Sequence, residues 1–207
     1  MDEAVTERAE YYGVLSRDPI MASLIERYGE LRLEKKYNYT GGSYFDDLAT
    51  SVIGQLLSMK AAATIKGRVI GLCGGLTPEN VLRFGDDELR AAGLSYGKAR
   101  CIRNLAAATL DKTLDLDNIR NLDDGAVIDT LSKLKGIGRW TAEMFLIFSL
   151  GREDIFSHGD MGLKNAITRL YGNGEALSKQ ETESIIAEWR PYRSYACLYL
   201  WRSLENG

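Results

Sequence analysis

Cysteine and histidine are scarce in this sequence: there are three cysteines and a single histidine, His158. Cys73, Cys101 and Cys197 are odd in number and far apart, which fits free thiols in a reducing compartment rather than a disulfide framework. They offer no metal-ligand spacing, so no metal site is expected. No stretch reaches the apolar length that a bilayer span needs, and no repeat or low-complexity tract is visible. A basic excess is missing too. Lys and Arg number 26 against 29 Asp and Glu, a net charge of −3, which argues mildly against a polyanion as partner. Net charge says nothing about distribution, and Lys133, Lys135 and Arg139 fall close together. The first residues are acidic and polar, unlike a secretory leader, so an intracellular protein is expected.

What the chain does carry is helical periodicity along nearly all of its 207 residues, enough for one domain with a sizeable core. Phe45, Leu48, Val52, Ile53, Leu56 and Leu57 recur at helical spacing, with Ser43 as N-cap. Thr77-Pro78 has the cap-then-proline form of a helix start, and Gly93 closes a short helix begun near Asp86. Val127, Ile128, Leu131 and Leu134 form one apolar stripe. The segment Arg139 to Leu150 is apolar nearly all round, which predicts a buried central helix. Ser178 and Glu181 make a capping box, Pro191 ends that helix, and a last helix runs from Arg193 to Ser203. Leu31 to Tyr39 alternates weakly and reads as an irregular connector. The expected fold class is all-α.

The most informative segment is Lys135-Gly136-Ile137-Gly138-Arg139-Trp140, between two apolar helices, followed by the acid Asp160. Gly136 can take positive φ, and neither glycine has a Cβ to hold an anion away from the backbone. The N–H groups opening the next helix point outward together, where the helix dipole favours a phosphate. A lone G-x-G turn would be weak evidence, because such turns also simply reverse a chain.

Several stretches agree in order with one family: Ile53 to Ser58 with Ala61 to Ala63; Ala91 to Ser95 with Lys98 to Arg100; Lys135 to Phe145; and Trp189 to Ala196 with Tyr199 to Trp201. Together they resemble the helix-hairpin-helix DNA glycosylase superfamily that includes endonuclease III, and within it the alkylbase glycosylases of the DNA-3-methyladenine glycosylase II type. The resemblance implies one glycosylase domain over residues 1–207, made of two packed helical lobes flanking a groove, with the hairpin at about 126–150. It implies a monomer acting on double-stranded DNA that contains alkylated bases, in the cytoplasm or, in a prokaryote, at the nucleoid, and no membrane partner. Relatives that hold an iron–sulfur cluster do so on four closely spaced cysteines, a run this chain lacks, so no cluster is expected. A structural monovalent cation at the hairpin is the one bound group the resemblance suggests. A non-catalytic helix-hairpin-helix DNA-binding module, or a glycosylase for another lesion, are the alternative readings.

The resemblance also assigns roles. Asp160 stands twenty residues after Trp140, where the family has its catalytic aspartate. On spacing alone it is equally well a helix cap. The family pattern has proline at the position of Ser157, and its loss is expected to loosen the backbone before Asp160. Trp140 occupies the position of the lysine used by relatives that also cut the strand, so base removal alone is expected. Trp140, Trp201 and Met144 match pocket positions, although core packing is the commoner fate of tryptophan. Lys135, Gly136, Gly138 and Arg139 are the expected phosphate anchor. Gln55, Leu56 and Leu57 match the segment that the superfamily inserts into DNA, with Leu57 favoured over Leu56 and helix packing an equal alternative for both. His158 reads as a loop residue and Lys164 as solvated or phosphate-bound. Arg193 and Tyr195 belong to a motif whose task the sequence does not reveal.

Overall fold

The computed structural model of the chain describes residues 10–33 and 43–205, and among these every regular element is a helix. In chain order they are α1 (10–15), α2 (Pro19–Tyr28), α3 (Tyr44–Gly54), α4 (Met59–Cys73), α5 (Pro78–Leu82), α6 (Asp86–Ala91), α7 (Tyr96–Leu110), α8 (Asp124–Ser132), α9 (Arg139–Phe148), α10 (Met161–Tyr171), α11 (Lys179–Glu188) and α12 (Arg193–Glu205). A single 3-10 turn, Ile119–Asn121, sits between α7 and α8. Two compact units result: Met1–Glu34 with Gly151–Gly207, and Lys35–Leu150. No helix among the described residues is long and apolar enough to cross a membrane.

The helix boundaries follow the local chemistry of the sequence. Ser43 accepts from Asp46 N to cap α3, Thr77 caps α5 ahead of Pro78, and Ser178 with Glu181 forms the capping box of α11. Gly93 has φ 112° just past α6, the left-handed region that glycine enters without strain. Leu31 to Leu33 form no regular element, and the rest of the expected connector, through Tyr39, lies outside the described residues.

One boundary differs from the periodicity. The stripe of α3 stops at Ile53, and the helix ends at Gly54, so Leu56 and Leu57 are not part of it. Lys98 on α7 stops the helix: its Nζ donates to the carbonyls of Ile53 at 2.8 Å and Gln55 at 2.7 Å. Those orphan carbonyls at the negative end of α3 attract a cation. Burial in turn holds the Lys98 pKa below the usual lysine value.

Within the unit of residues 35–150, α9 is the central helix. Every residue from Thr141 to Phe148 is buried, and α9 packs on α3 and α8. In the other unit, Asp18 ties three segments together. Its Oδ1 caps α2 through Ile20 N and Met21 N, while Oδ2 accepts from Tyr171 OH at 2.6 Å and Trp189 Nε1 at 2.9 Å. The core beneath it gathers Leu15, Met21, Leu163, Trp189 and Tyr199.

Candidate active site

Asp160 is the N-cap of α10, with extended backbone at φ −77° and ψ 119° and only 9% of its surface exposed. Its Oδ1 accepts from Leu163 N at 2.8 Å, which is the cap. The same oxygen accepts from Trp201 Nε1, on α12, at 3.1 Å. Capping therefore does not exhaust the residue: an aromatic N–H from another helix is aimed at the carboxylate. Gly162 makes this possible. A Cβ there would stand 3.0 Å from Asp160 Oδ1 and 3.2 Å from Trp201 Cδ1.

The approach to Asp160 is held firmly without a proline. Ser157 is fully buried, and the start of α12 binds the preceding loop. Arg193 donates from Nε to Asp154 Oδ1 and from Nη2 to the Asp154 carbonyl, both at 2.6 Å. Ser194 Oγ accepts from Ile155 N at 3.0 Å and donates to the Arg152 carbonyl at 2.6 Å. Tyr195 OH donates to Glu153 Oε1 at 2.9 Å. The motif residues Arg193 and Tyr195 thus acquire a task, and the expected loosening at Ser157 is corrected: side chains and backbone of α12 supply the restraint. His158 lies 3.4 Å from Glu183 across a half-exposed pair, and Lys164 is exposed.

The hairpin joins α8 to α9. Ile137 plugs the turn into the core, and its N–H donates to the Leu134 carbonyl at 3.0 Å. Gly136 has φ 101°, and its Cβ position would lie 2.7 Å from Cys101 Sγ, so its missing side chain serves the turn and the packing beneath it. Gly138 is different. It is the N-cap of α9 in extended backbone, gives no side-chain cap, and faces open space where a Cβ would stand. The first N–H groups of α9 are thus left for a partner other than a capping side chain. Lys135 and Arg139 flank them at the surface. Arg139 Nε is held by buried Glu143 at 2.8 Å.

Gln55 links this hairpin to the end of α3. Its Nε2 donates to the Gly136 carbonyl at 3.3 Å and to Thr141 Oγ1 at 3.1 Å, giving the side chain an internal role beside the DNA contact expected of it. The turn that follows presents Leu56 at φ 58° with 104% relative exposure, whereas Leu57 is 38% exposed. Helix packing, the alternative for both leucines, is excluded. A leucine at left-handed φ costs about 1 kcal/mol or more, which the bonds of Lys98 and Gln55 offset. Leu57 instead lines a cavity of about 630 Å³ within the same unit, with Ala62, Ile70, Trp140, Met144 and Phe148. Trp140, 38% exposed, and buried Met144 therefore share one apolar wall, while half-buried Trp201 belongs to the Asp160 pair in the other unit.

Sequence reasoning missed Gly162 and Lys98. A glycine in the first turn of a helix, where alanine is better tolerated, was the available signal for the first; nothing local marks the second.

A hairpin built to receive an anion at a helix N-terminus, together with a buried carboxylate capping a later helix, defines a helix-hairpin-helix protein equipped for more than binding. Residues 49–191 match the HhH-GPD superfamily of base excision DNA repair proteins, and the chain belongs to that family. It is 32% identical over 171 residues to Bacillus subtilis YfjP, whose name marks it as a proposed DNA-3-methyladenine glycosylase; the match covers 79% of this chain and 60% of that relative's length. A crystal structure of DNA-3-methyladenine glycosidase from Bacillus halodurans shares 40% identity and a TM-score of 0.79, covering 92% of this chain and 86% of that one. Schizosaccharomyces pombe 3-methyladenine DNA glycosylase Mag1, solved in complex with abasic DNA, is 28% identical with a TM-score of 0.84 over 95% of this chain and 97% of that one.

Proposed function

We propose that the protein is a DNA glycosylase that, as a monomer, hydrolyses the N-glycosidic bond of alkylated purines in double-stranded DNA and leaves an abasic site without cutting the strand. The observation that carries this reading is the Asp160 carboxylate, nearly buried and fixed through Oδ1 by Leu163 N and Trp201 Nε1. Breaking the bond between base and sugar gives the deoxyribose oxocarbenium character. An anion already held in place stabilises that charge without reorganising at the moment of reaction. The same carboxylate suits orienting or deprotonating the attacking water. A purine alkylated at N3 or N7 is cationic and leaves readily, so no strong acid is required. Trp140 and Trp201 offer the aromatic faces that attract such a cation, with Met144 completing the surface for an extruded base. The names of the relatives support the same substrate class.

In this reading the bare N-terminus of α9, with Gly136, Gly138, Lys135 and Arg139 around it, holds a phosphate beside the lesion. A monovalent cation bridging hairpin carbonyls to that phosphate belongs to the same anchor. The Gly136 carbonyl accepts one bond from Gln55, and a carbonyl oxygen has two lone pairs. Leu56, rather than Leu57, enters the base stack where the damaged base has left it, since apolar wedges between base steps hold a duplex kinked. The chemistry draws on no iron–sulfur cluster.

Release of free base from methylated DNA, followed by chromatography, tests the reading. Asp160→Asn is expected to fold, since asparagine caps as well as aspartate. It should still bind abasic DNA but release alkylpurines at least ~10²-fold more slowly, the scale for one lost electrostatic group. Undiminished turnover in the variant would make Asp160 a helix cap alone. DNA binding by the parent protein with no base release would mark a binding module instead.

A further inference from the structure

We propose that Gly162 is a positioning residue for the reaction: its bare Cα lets the Trp201 indole dock on the first turn of α10 and hold the Asp160 carboxylate. The inference rests on the catalytic reading of Asp160 and names what keeps that group aimed. Its starting point is a misfit. Gly162 lies inside α10, where glycine is a poor choice, and it has no left-handed φ to explain its presence. Space explains it. A Cβ would meet Asp160 Oδ1 at 3.0 Å, Trp201 Cδ1 at 3.2 Å and Trp201 Nε1 at 3.4 Å, the two groups that share the 3.1 Å hydrogen bond. Any side chain at 162 must displace one or both by a few tenths of an ångström.

The consequence is directional. Two donors from different elements converge on one oxygen: the Leu163 N–H of α10 and the Trp201 N–H of α12. Together they fix the rotation of the carboxylate, which a cap bond alone leaves free to pivot. The same hydrogen bond fixes the indole plane. Because α12 also binds the loop of residues 152–155, the helix that aims the carboxylate also holds the chain leading to it. A side chain at 162 would disturb the aim while leaving the cap and the loop in place.

The test separates aim from stability. Gly162→Ala removes an unfavourable helix glycine, so its melting temperature is expected to equal or exceed that of the parent. Its affinity for abasic DNA should be unchanged, while single-turnover base release slows about tenfold, the scale of a small misplacement of a reacting group. The indole N–H resonance of Trp201, identified by its loss in Trp201→Phe, should shift in Gly162→Ala and also in Asp160→Asn. Trp201→Phe alone should be slow, and adding Gly162→Ala to it should cost nothing further, because both changes break one interaction. An unslowed Gly162→Ala, an unmoved indole resonance, or additive losses in the double variant would each overturn the proposal. If Asp160→Asn keeps full turnover while the indole resonance still moves in Gly162→Ala, the catalytic reading fails and the geometric role of Gly162 stands.

Discussion

Trp140 shows how much one side chain decides at the residue scale. An indole has no amine with which to form a Schiff base, so a sugar intermediate cannot be captured at this position. Lys164, the nearest amine in sequence to Asp160, is exposed. Borohydride added during turnover is therefore expected to trap no covalent protein–DNA adduct, and the product strand should remain intact until alkali opens the abasic site. A trapped adduct on a denaturing gel would assign strand-cutting activity and a nucleophilic amine. Leu56 makes the complementary point. Its full exposure at a strained φ is hard to account for in a soluble protein unless the side chain has a partner elsewhere.

At the scale of the element, the two hairpin glycines do different work although they stand two residues apart. Gly136 combines φ 101° with a Cβ position 2.7 Å from Cys101 Sγ, so valine there faces both backbone strain and overpacking. Gly136→Val is expected to lower stability by about 2–4 kcal/mol in urea unfolding, from those two sources together. Gly138 faces open space in ordinary extended backbone. Gly138→Val should keep the parent's stability yet bind abasic DNA more weakly, because the added methyl groups stand where a phosphate would approach the α9 N-terminus. Equal affinity in a well-folded Gly138→Val protein would remove the hairpin from the DNA contact.

For the whole molecule, alkaline pH is the revealing condition, because the cores store neutral acids. Burial pushes the Cys101 thiol from an ordinary 9.0 to about 11, and raises Cys73 as well. Burial also pushes Tyr11 from 10.0 to about 12, and Tyr171 and Tyr199 rise for the same reason. Each is an acid whose folded pKa exceeds its unfolded one. Its contribution to stability is complete below the unfolded value and is lost as pH climbs through the folded value. Stability should hold up to about pH 9 and then fall, Cys101 alone contributing a loss of roughly 2 kcal/mol between pH 9 and 11. Urea unfolding across that range measures it. Cys101→Ala should flatten the first part of the decline, and an unchanged profile in that variant would show that the thiol is not the group responsible.

The helices, most of their caps, the hairpin and the position of Asp160 were legible in the sequence, because each rests on interactions between residues a few positions apart. Periodicity, N-caps and a positive-φ glycine are local, and Ser43, Thr77, Ser178 and Gly136 carried them. The placement of Leu56 was not legible. Its apolar character continued the α3 stripe, and only Lys98, more than forty residues later, ends that helix and turns the leucine outward. Nor was the reason for Gly162, or the task of Arg193 and Ser194, since each depends on α12 folding back to the loop and first turn around Asp160. Local spacing fixed which groups the chain owns. Which of them touch was decided by packing between segments far apart in sequence, where one absent Cβ or one buried ammonium changes the outcome.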